Sequence, residues 1–171
     1  KNHLIIWYVV FRILLILILL YSSGGISKGT NIFGIGLYDV KFDGSEKNQA
    51  LDFRYEFRSE ESLFDIGPKE DNFFFLKPFI GIEYTNDSAS YFLTGIYFED
   101  NLGELFEGNK SKFFFTPSIG AGIYNDGSGK KLGNDIQFRT SVEVSYELKN
   151  KNRIGISLSH ISNANLSDKN P

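Results

Sequence analysis

Cysteine is absent from the sequence, and histidine occurs only twice. The chain therefore has no disulfide, no thiolate nucleophile and no cysteine-ligated metal. A single histidine outside the N-terminal segment, His160, also makes a poor zinc site, so we expect no metal and no cofactor. Basic residues are not in excess, since the formal net charge is −3. This balance argues against nucleic acid as a partner.

The longest apolar run lies at the N-terminus, where residues 1–25 read KNHLIIWYVVFRILLILILLYSSGG. A basic start, an apolar stretch and a patch of small residues predict a secretory signal peptide over residues 1–25. A membrane anchor is the alternative, because residues 4–21 are almost long enough to span a bilayer as a helix. Arg12 interrupts the run, which favours the signal peptide and hence export.

After the N-terminal segment the sequence follows the two-residue period of strands, and no helical period continues for three turns. We predict seven strands separated by turn-rich segments, each close to the roughly 9–11 residues of a tilted membrane strand. The predicted strands cover residues 31–42, 50–58, 73–84, 90–99, 112–124, 135–148 and 153–161.

Individual strands combine an apolar face with a polar one. In QFRTSVEVSYEL, residues 137–148, one face is mainly aromatic and aliphatic and the other carries Arg139, Glu143 and Glu147. Because side chains alternate across a strand, this pattern fits a membrane barrel with a polar interior. It equally fits a secreted soluble sandwich or lipocalin-like binder with its polar face in water. Aromatic clusters such as FFFLKPF at 73–79, and glycines on one face, favour the barrel.

The predicted fold class is all-β, an antiparallel eight-stranded transmembrane β-barrel with about seven strands present in this chain. Bacterial single-chain barrels have an even number of strands, and eight is the smallest usual number. We therefore expect residues 26–171 to form an outer-membrane β-barrel domain that is truncated at the C-terminus. The remaining strand would then follow Pro171.

The last residues read HISNANLSDKNP, from His160 to Pro171. The two-residue period puts His160 and Ser162 on the same strand face as Ile154 and Leu158, which in a barrel is the lipid-facing one. An imidazole can take a proton near neutral pH, and a serine beside it is the arrangement needed for nucleophilic acyl transfer. H-x-S alone is a weak signal, because a surface histidine beside a loop serine gives the same string.

The longer motif is more specific. HISNA, followed by Asn170-Pro171, resembles the family of outer-membrane lipid A 3-O-deacylases, also called acyloxyacyl hydrolases. LGNDIQFRTSVEVSYEL, from Leu132, resembles that family's strand before the motif. The resemblance implies an eight-stranded barrel with a lipid-facing His-Ser-Glu triad. It makes Ser162 the nucleophile and His160 the general base.

The same resemblance implies roles for the residues around the pair. Asn170 and the backbone around Ala164 would stabilise the oxyanion, and Asn163 would have a structural role. The triad glutamate would follow the Asn-Pro pair, beyond Pro171, because Asp168 precedes that pair and does not match. This chain alone is therefore expected to be inactive or unable to close.

The implied function is a serine esterase that removes the 3-O-linked acyl chain of lipid A, remodelling lipopolysaccharide in the Gram-negative outer membrane. A homodimer is compatible with the sequence. A non-enzymatic small outer-membrane barrel, structural or adhesin-like, is the alternative.

Several lysines could contact lipid A phosphates, although solvation in loops is the simpler explanation. These lysines are Lys110, Lys112, Lys130 and Lys131.

Overall fold

The computed structural model describes residues 28–40, 49–66 and 74–167. The signal peptide predicted for residues 1–25 lies outside this part. Within the described residues, nine strands and one short helix follow in chain order. They are β1 Gly29–Tyr38, β2 Ala50–Ser59, β3 Phe64–Ile66, β4 Phe74–Thr85, β5 Ser90–Tyr97, β6 Asp100–Asn101, α1 Leu102–Glu107, β7 Phe113–Asn125, β8 Ile136–Glu147 and β9 Arg153–Ser162.

The seven long strands form one antiparallel sheet in the order β1-β2-β4-β5-β7-β8-β9. The sheet curls into a half-barrel, and no strand joins β1 to β9 among the described residues. The all-β antiparallel prediction, with about seven long strands, is confirmed. Predicted and observed strand bounds differ most at the end of β1, which was predicted at residue 42 and lies at Tyr38.

The short elements lie in the two long segments that join β2 to β4 and β5 to β7. The strand β3 pairs with the start of β4, and β6 pairs with β7. Helix α1 begins at an Asn101 cap, whose Oδ1 accepts from the N–H groups of Gly103 and Glu104, at 3.1 and 3.4 Å. It ends at Gly108 in the left-handed conformation. The sequence analysis did not predict these three short elements.

The apolar face of the sheet is its outer face. Large aliphatic and aromatic side chains there are widely exposed, with 79% for Phe33, 84% for Ile156 and 66% for Leu158. In a soluble sandwich this face would be buried in the core between two sheets. An exposed apolar band around a polar interior is instead the pattern of a membrane barrel.

No helix in the described part of the chain is both long and apolar enough to span a membrane.

The inner face is narrow and filled by side chains. A buried cluster lies on it, and Tyr38 of β1 and Ile161 of β9 pack against this cluster. The cluster consists of Phe79, Ala89, Tyr91, Leu93, Tyr97, Tyr124 and Leu132. Two glycines make room for it, because a Cβ at Gly95 or Gly120 would lie 2.7 or 2.9 Å from the Phe79 ring. Glycine at these two positions therefore allows the Phe79 ring to lie close to the backbone of β5 and β7.

Candidate active site

The β8–β9 pair carries the His160–Ser162 pair. Across these strands Thr140 lies opposite His160, and Phe138 lies opposite Ser162. Residues that face each other in an antiparallel pair project to the same side of the sheet. Thr140 is exposed on the outer face, so His160 and Ser162 also project outward. Ile161, between them, projects inward and packs against the buried cluster.

The environment of the pair is apolar and open. His160 is exposed and Ser162 is half-buried. Ile156 and Leu158 continue the same face of β9 toward the middle of the strand. The two-residue period thus predicted the correct face, since neither polar side chain turns toward the interior. Among the described residues, no hydrogen bond joins the imidazole to the hydroxyl or to a carboxylate.

A buried asparagine fixes the chain directly after Ser162. Asn163 is fully buried, and its Nδ2 donates to the carbonyl oxygen of Leu132 and to Ser167 Oγ, each at 2.9 Å. Leu132 belongs to the buried cluster. The turn that follows the candidate nucleophile is therefore attached to the loop between β7 and β8, and through it to the core.

The turn itself has an unusual backbone. Ala164 and Asn165 have φ values of 51° and 61°, and the Leu166 N–H donates to the carbonyl oxygen of Asn163 at 3.0 Å. Two left-handed central residues define a type I′ turn, which normally selects Gly, Asn or Asp. Alanine in the left-handed conformation is strained, and such strain collects at functional sites. The Ala164 N–H takes no part in the hydrogen bond that closes this turn.

The four candidate lysines lie in different places. Lys110, 3.8 Å from Glu104, and Lys112, over the Tyr146 ring, precede β7 and lie at the end of the sheet away from His160. A lipid bound at the His160 end is out of their reach. On the loop between β7 and β8, Lys130 and Lys131 directly precede Leu132. Lys130 donates to Asp39 at 2.5 Å, and Lys131 is exposed.

In the three described segments, no cluster of three or more His, Asp and Glu residues could hold an ion. Asn170 and Asp168 lie outside the described residues, so the implied oxyanion role of Asn170 stays a prediction. The described site therefore consists of His160, Ser162 and the turn from Asn163 onward.

A comparison with models of protein families identifies one that matches most of the chain. The model described as Lipid A 3-O-deacylase (PagL) matches residues 38–171, from the end of β1 through the motif. The chain belongs to the lipid A 3-O-deacylase family. Membership implies lipid A 3-O-deacylase activity, that is, hydrolysis of an ester with lipid A as the substrate. No curated protein and no solved structure matches the chain.

In this member of the lipid A 3-O-deacylase family, the partners of Asn163 were not predicted from the sequence. The acceptor at Leu132 is a main-chain carbonyl, which every residue carries, so the sequence holds no signal for that contact. The left-handed Ala164 was equally unexpected, because alanine does not signal that conformation. The turn that follows Ser162 therefore contains a hydrogen-bonded asparagine, Asn163, and a strained alanine, Ala164.

Proposed function

We propose that this chain is an outer-membrane serine esterase that hydrolyses the 3-O-linked acyl ester of lipid A, with Ser162 as nucleophile and His160 as general base. One observation carries the proposal: the two side chains share the apolar outer face of β9 in a chain of the lipid A 3-O-deacylase family. We also propose that residues 1–25 direct export and that residues 26–171 form the barrel domain.

The outward position suits the substrate. The acyl chains of lipid A lie in the hydrocarbon layer, so an ester near the headgroups is reached from the outer wall of a barrel. Polar side chains on a lipid-facing surface are costly and usually functional. His160 and Ser162 lie near the end of β9, beyond the exposed Ile156 and Leu158. In this proposal they lie close to the headgroup level of one leaflet.

The chemistry is a two-step acyl transfer. Ser162 Oγ attacks the ester carbonyl carbon while His160 takes the hydroxyl proton. The intermediate collapses by breaking the bond between the carbonyl carbon and the sugar oxygen, which receives the proton from His160. Water, activated by His160, then attacks the acyl-serine and releases a 3-hydroxy fatty acid with restored Ser162.

The negative charge that develops on the carbonyl oxygen needs preorganised donors. The Ala164 N–H, which the hydrogen bond of the turn does not use, is one candidate. Asn170 is the other, by family resemblance. A fixed turn with a strained alanine has no evident use in a passive barrel, and this favours the enzyme over the structural or adhesin-like alternative.

Mass spectrometry of lipid A tests the proposal. Cells would express the full-length protein, Ser162→Ala or Ser159→Ala. Ser159 is the matched control, because it lies on the same strand with its side chain on the opposite face, paired with Ser141. We expect loss of the 3-O-linked acyl chain with the wild type and with Ser159→Ala, and intact lipid A with Ser162→Ala. Equal deacylation by Ser162→Ala, or none by the wild type, would contradict the proposal.

A further inference from the structure

The inner face of the half-barrel carries a continuous row of paired charges. Arg139 and Glu56 are fully buried, and Glu83 is 7% exposed. The Arg139 guanidinium donates from Nη1 to Glu83 and from Nη2 to Glu56. Glu56 also accepts from Arg58 Nε at 3.1 Å, and Arg58 donates to both carboxylate oxygens of Glu143, at 3.2 and 2.9 Å. We call these five residues the ionic row.

The ionic row joins strands that are not neighbours in the sheet. Glu56 and Arg58 lie on β2, Glu83 lies on β4, and Arg139 and Glu143 lie on β8. The strands β4, β5 and β7 separate β2 from β8 along the sheet, so these contacts cross the interior. The described residues contain no pairing between β1 and β9. The ionic row therefore holds the β8–β9 pair against the opposite wall.

Arg139 occupies a special place in this row. Its partner across β8 and β9 is Ile161, the residue between His160 and Ser162. Arg139 projects inward while its two neighbours on β9 carry the candidate catalytic groups outward. Its guanidinium also lies over the ring of Phe79, 5.4 Å from the centroid, in the buried cluster against which Ile161 packs. No other residue of the ionic row lies opposite the site.

We propose that Arg139 is a positioning residue for the His160–Ser162 pair, an inference that rests on the proposed function. Its two carboxylate partners fix the guanidinium in two directions, because buried charge-assisted hydrogen bonds are strong and directional. That fixes the β8 backbone beside Ile161, and the strand pairing transmits the position to β9. A geometric error of about 1 Å at reacting groups can cost about 10²-fold in rate.

Arg139→Met and Arg58→Met form a matched pair for the test. Both remove a buried arginine that binds two carboxylates, and both arginines bind Glu56, which keeps the other arginine in each variant. Arg58, however, binds Glu143, which pairs with Ser157 further from the site than Ile161. Loss of stability is expected in both variants. Loss of positioning is expected only in Arg139→Met.

The experiment measures kcat and KM for lipid A with full-length enzyme in detergent micelles, together with the thermal unfolding midpoint. We expect Arg139→Met to lower kcat by about 10²-fold with little change in KM. We expect Arg58→Met to retain kcat although its unfolding midpoint falls similarly. Arg139→Lys should recover part of the rate, because it restores the charge without the two-directional fork.

The outcomes separate this inference from the proposed function. An inactive wild-type enzyme overturns the proposed function. An active wild type with unchanged kcat in Arg139→Met, or an equal loss of kcat in Arg58→Met, overturns the positioning role. If Arg139→Met does not fold, Glu83→Gln takes its place, since it removes the negative charge of one partner of Arg139, weakens that hydrogen bond and keeps the shape of the side chain. A wild-type kcat in folded Glu83→Gln also counts against positioning.

Discussion

The side-chain amide of Asn163 holds the carbonyl oxygen of Leu132 at 2.9 Å, although 31 residues separate the two in sequence. This contact ties the turn after Ser162 to the loop before β8. Asn163→Asp keeps the shape of the side chain but replaces the Nδ2 donor by an oxygen that faces the Leu132 carbonyl. We expect the free energy of unfolding to fall by about 1–3 kcal/mol, because a buried carbonyl loses its donor. Urea titration in phospholipid vesicles measures this.

Asn150→Asp is the control for that substitution. Asn150 lies in the exposed turn between β8 and β9, and its Oδ1 accepts from the Asn152 N–H at 3.2 Å. Aspartate keeps this acceptor, so the free energy of unfolding should stay close to the wild-type value. Equal destabilisation by both substitutions would show that added charge, and not the lost donor, is the cause.

The strain at Ala164 predicts a stabilising substitution. Ala164 has a φ of 51°, in the left-handed region, where alanine is sterically strained and glycine is not. Ala164→Gly should therefore raise the free energy of unfolding by about 1 kcal/mol. Ala164→Val should lower it, since a β-branched side chain fits this region worse. If glycine destabilises the protein in the same urea titration, then the alanine is not strained.

The long strands could be predicted because apolar and polar residues alternate along a strand that is buried on one face. The end of β1 could not. Alternation continues past Tyr38, but Asp39 turns left-handed with φ at 55°, and its carboxylate pairs with Lys130, 91 residues away. The elements β3, β6 and α1 are too short to establish a period, although Asn101 and Gly108 in NLGELFEG mark the two ends of α1.

The site was partly predictable for a related reason. The two-residue period of a strand is enough to assign His160 and Ser162 to one face. The apolar residues on that face identify it as the outer one. The contacts behind them depend on the curvature of the sheet. Arg139 meets Glu56 and Glu83 only because the curled sheet brings β8 opposite β2 and β4. Alternation reports which side a residue faces and not which residue lies across the interior.

A lysine on the outer face tests whether that face meets lipid. Ile156 projects outward from β9 and is 84% exposed. In a bilayer, Ile156→Lys should lower the free energy of unfolding by up to about 2–4 kcal/mol, depending on depth. Asn150→Lys, in the exposed turn below β9, should have little effect. The measurement is urea titration in vesicles, and a neutral result at position 156 would place this face in water.

Lys131 predicts a difference in substrate affinity between two lysines. It is exposed and lies one residue from Leu132, which binds the turn after Ser162, whereas Lys112 lies at the opposite end of the sheet. If Lys131 contacts a lipid A phosphate, Lys131→Ala should raise KM several-fold at low salt. Added salt should reduce the difference, because it screens exposed charges.

Lys112→Ala is the control and should leave KM unchanged. Because neither side chain approaches the reacting groups, kcat should be retained in both. An unchanged KM for Lys131→Ala would mean that this lysine is solvated and that the substrate is held by its acyl chains and by the turn.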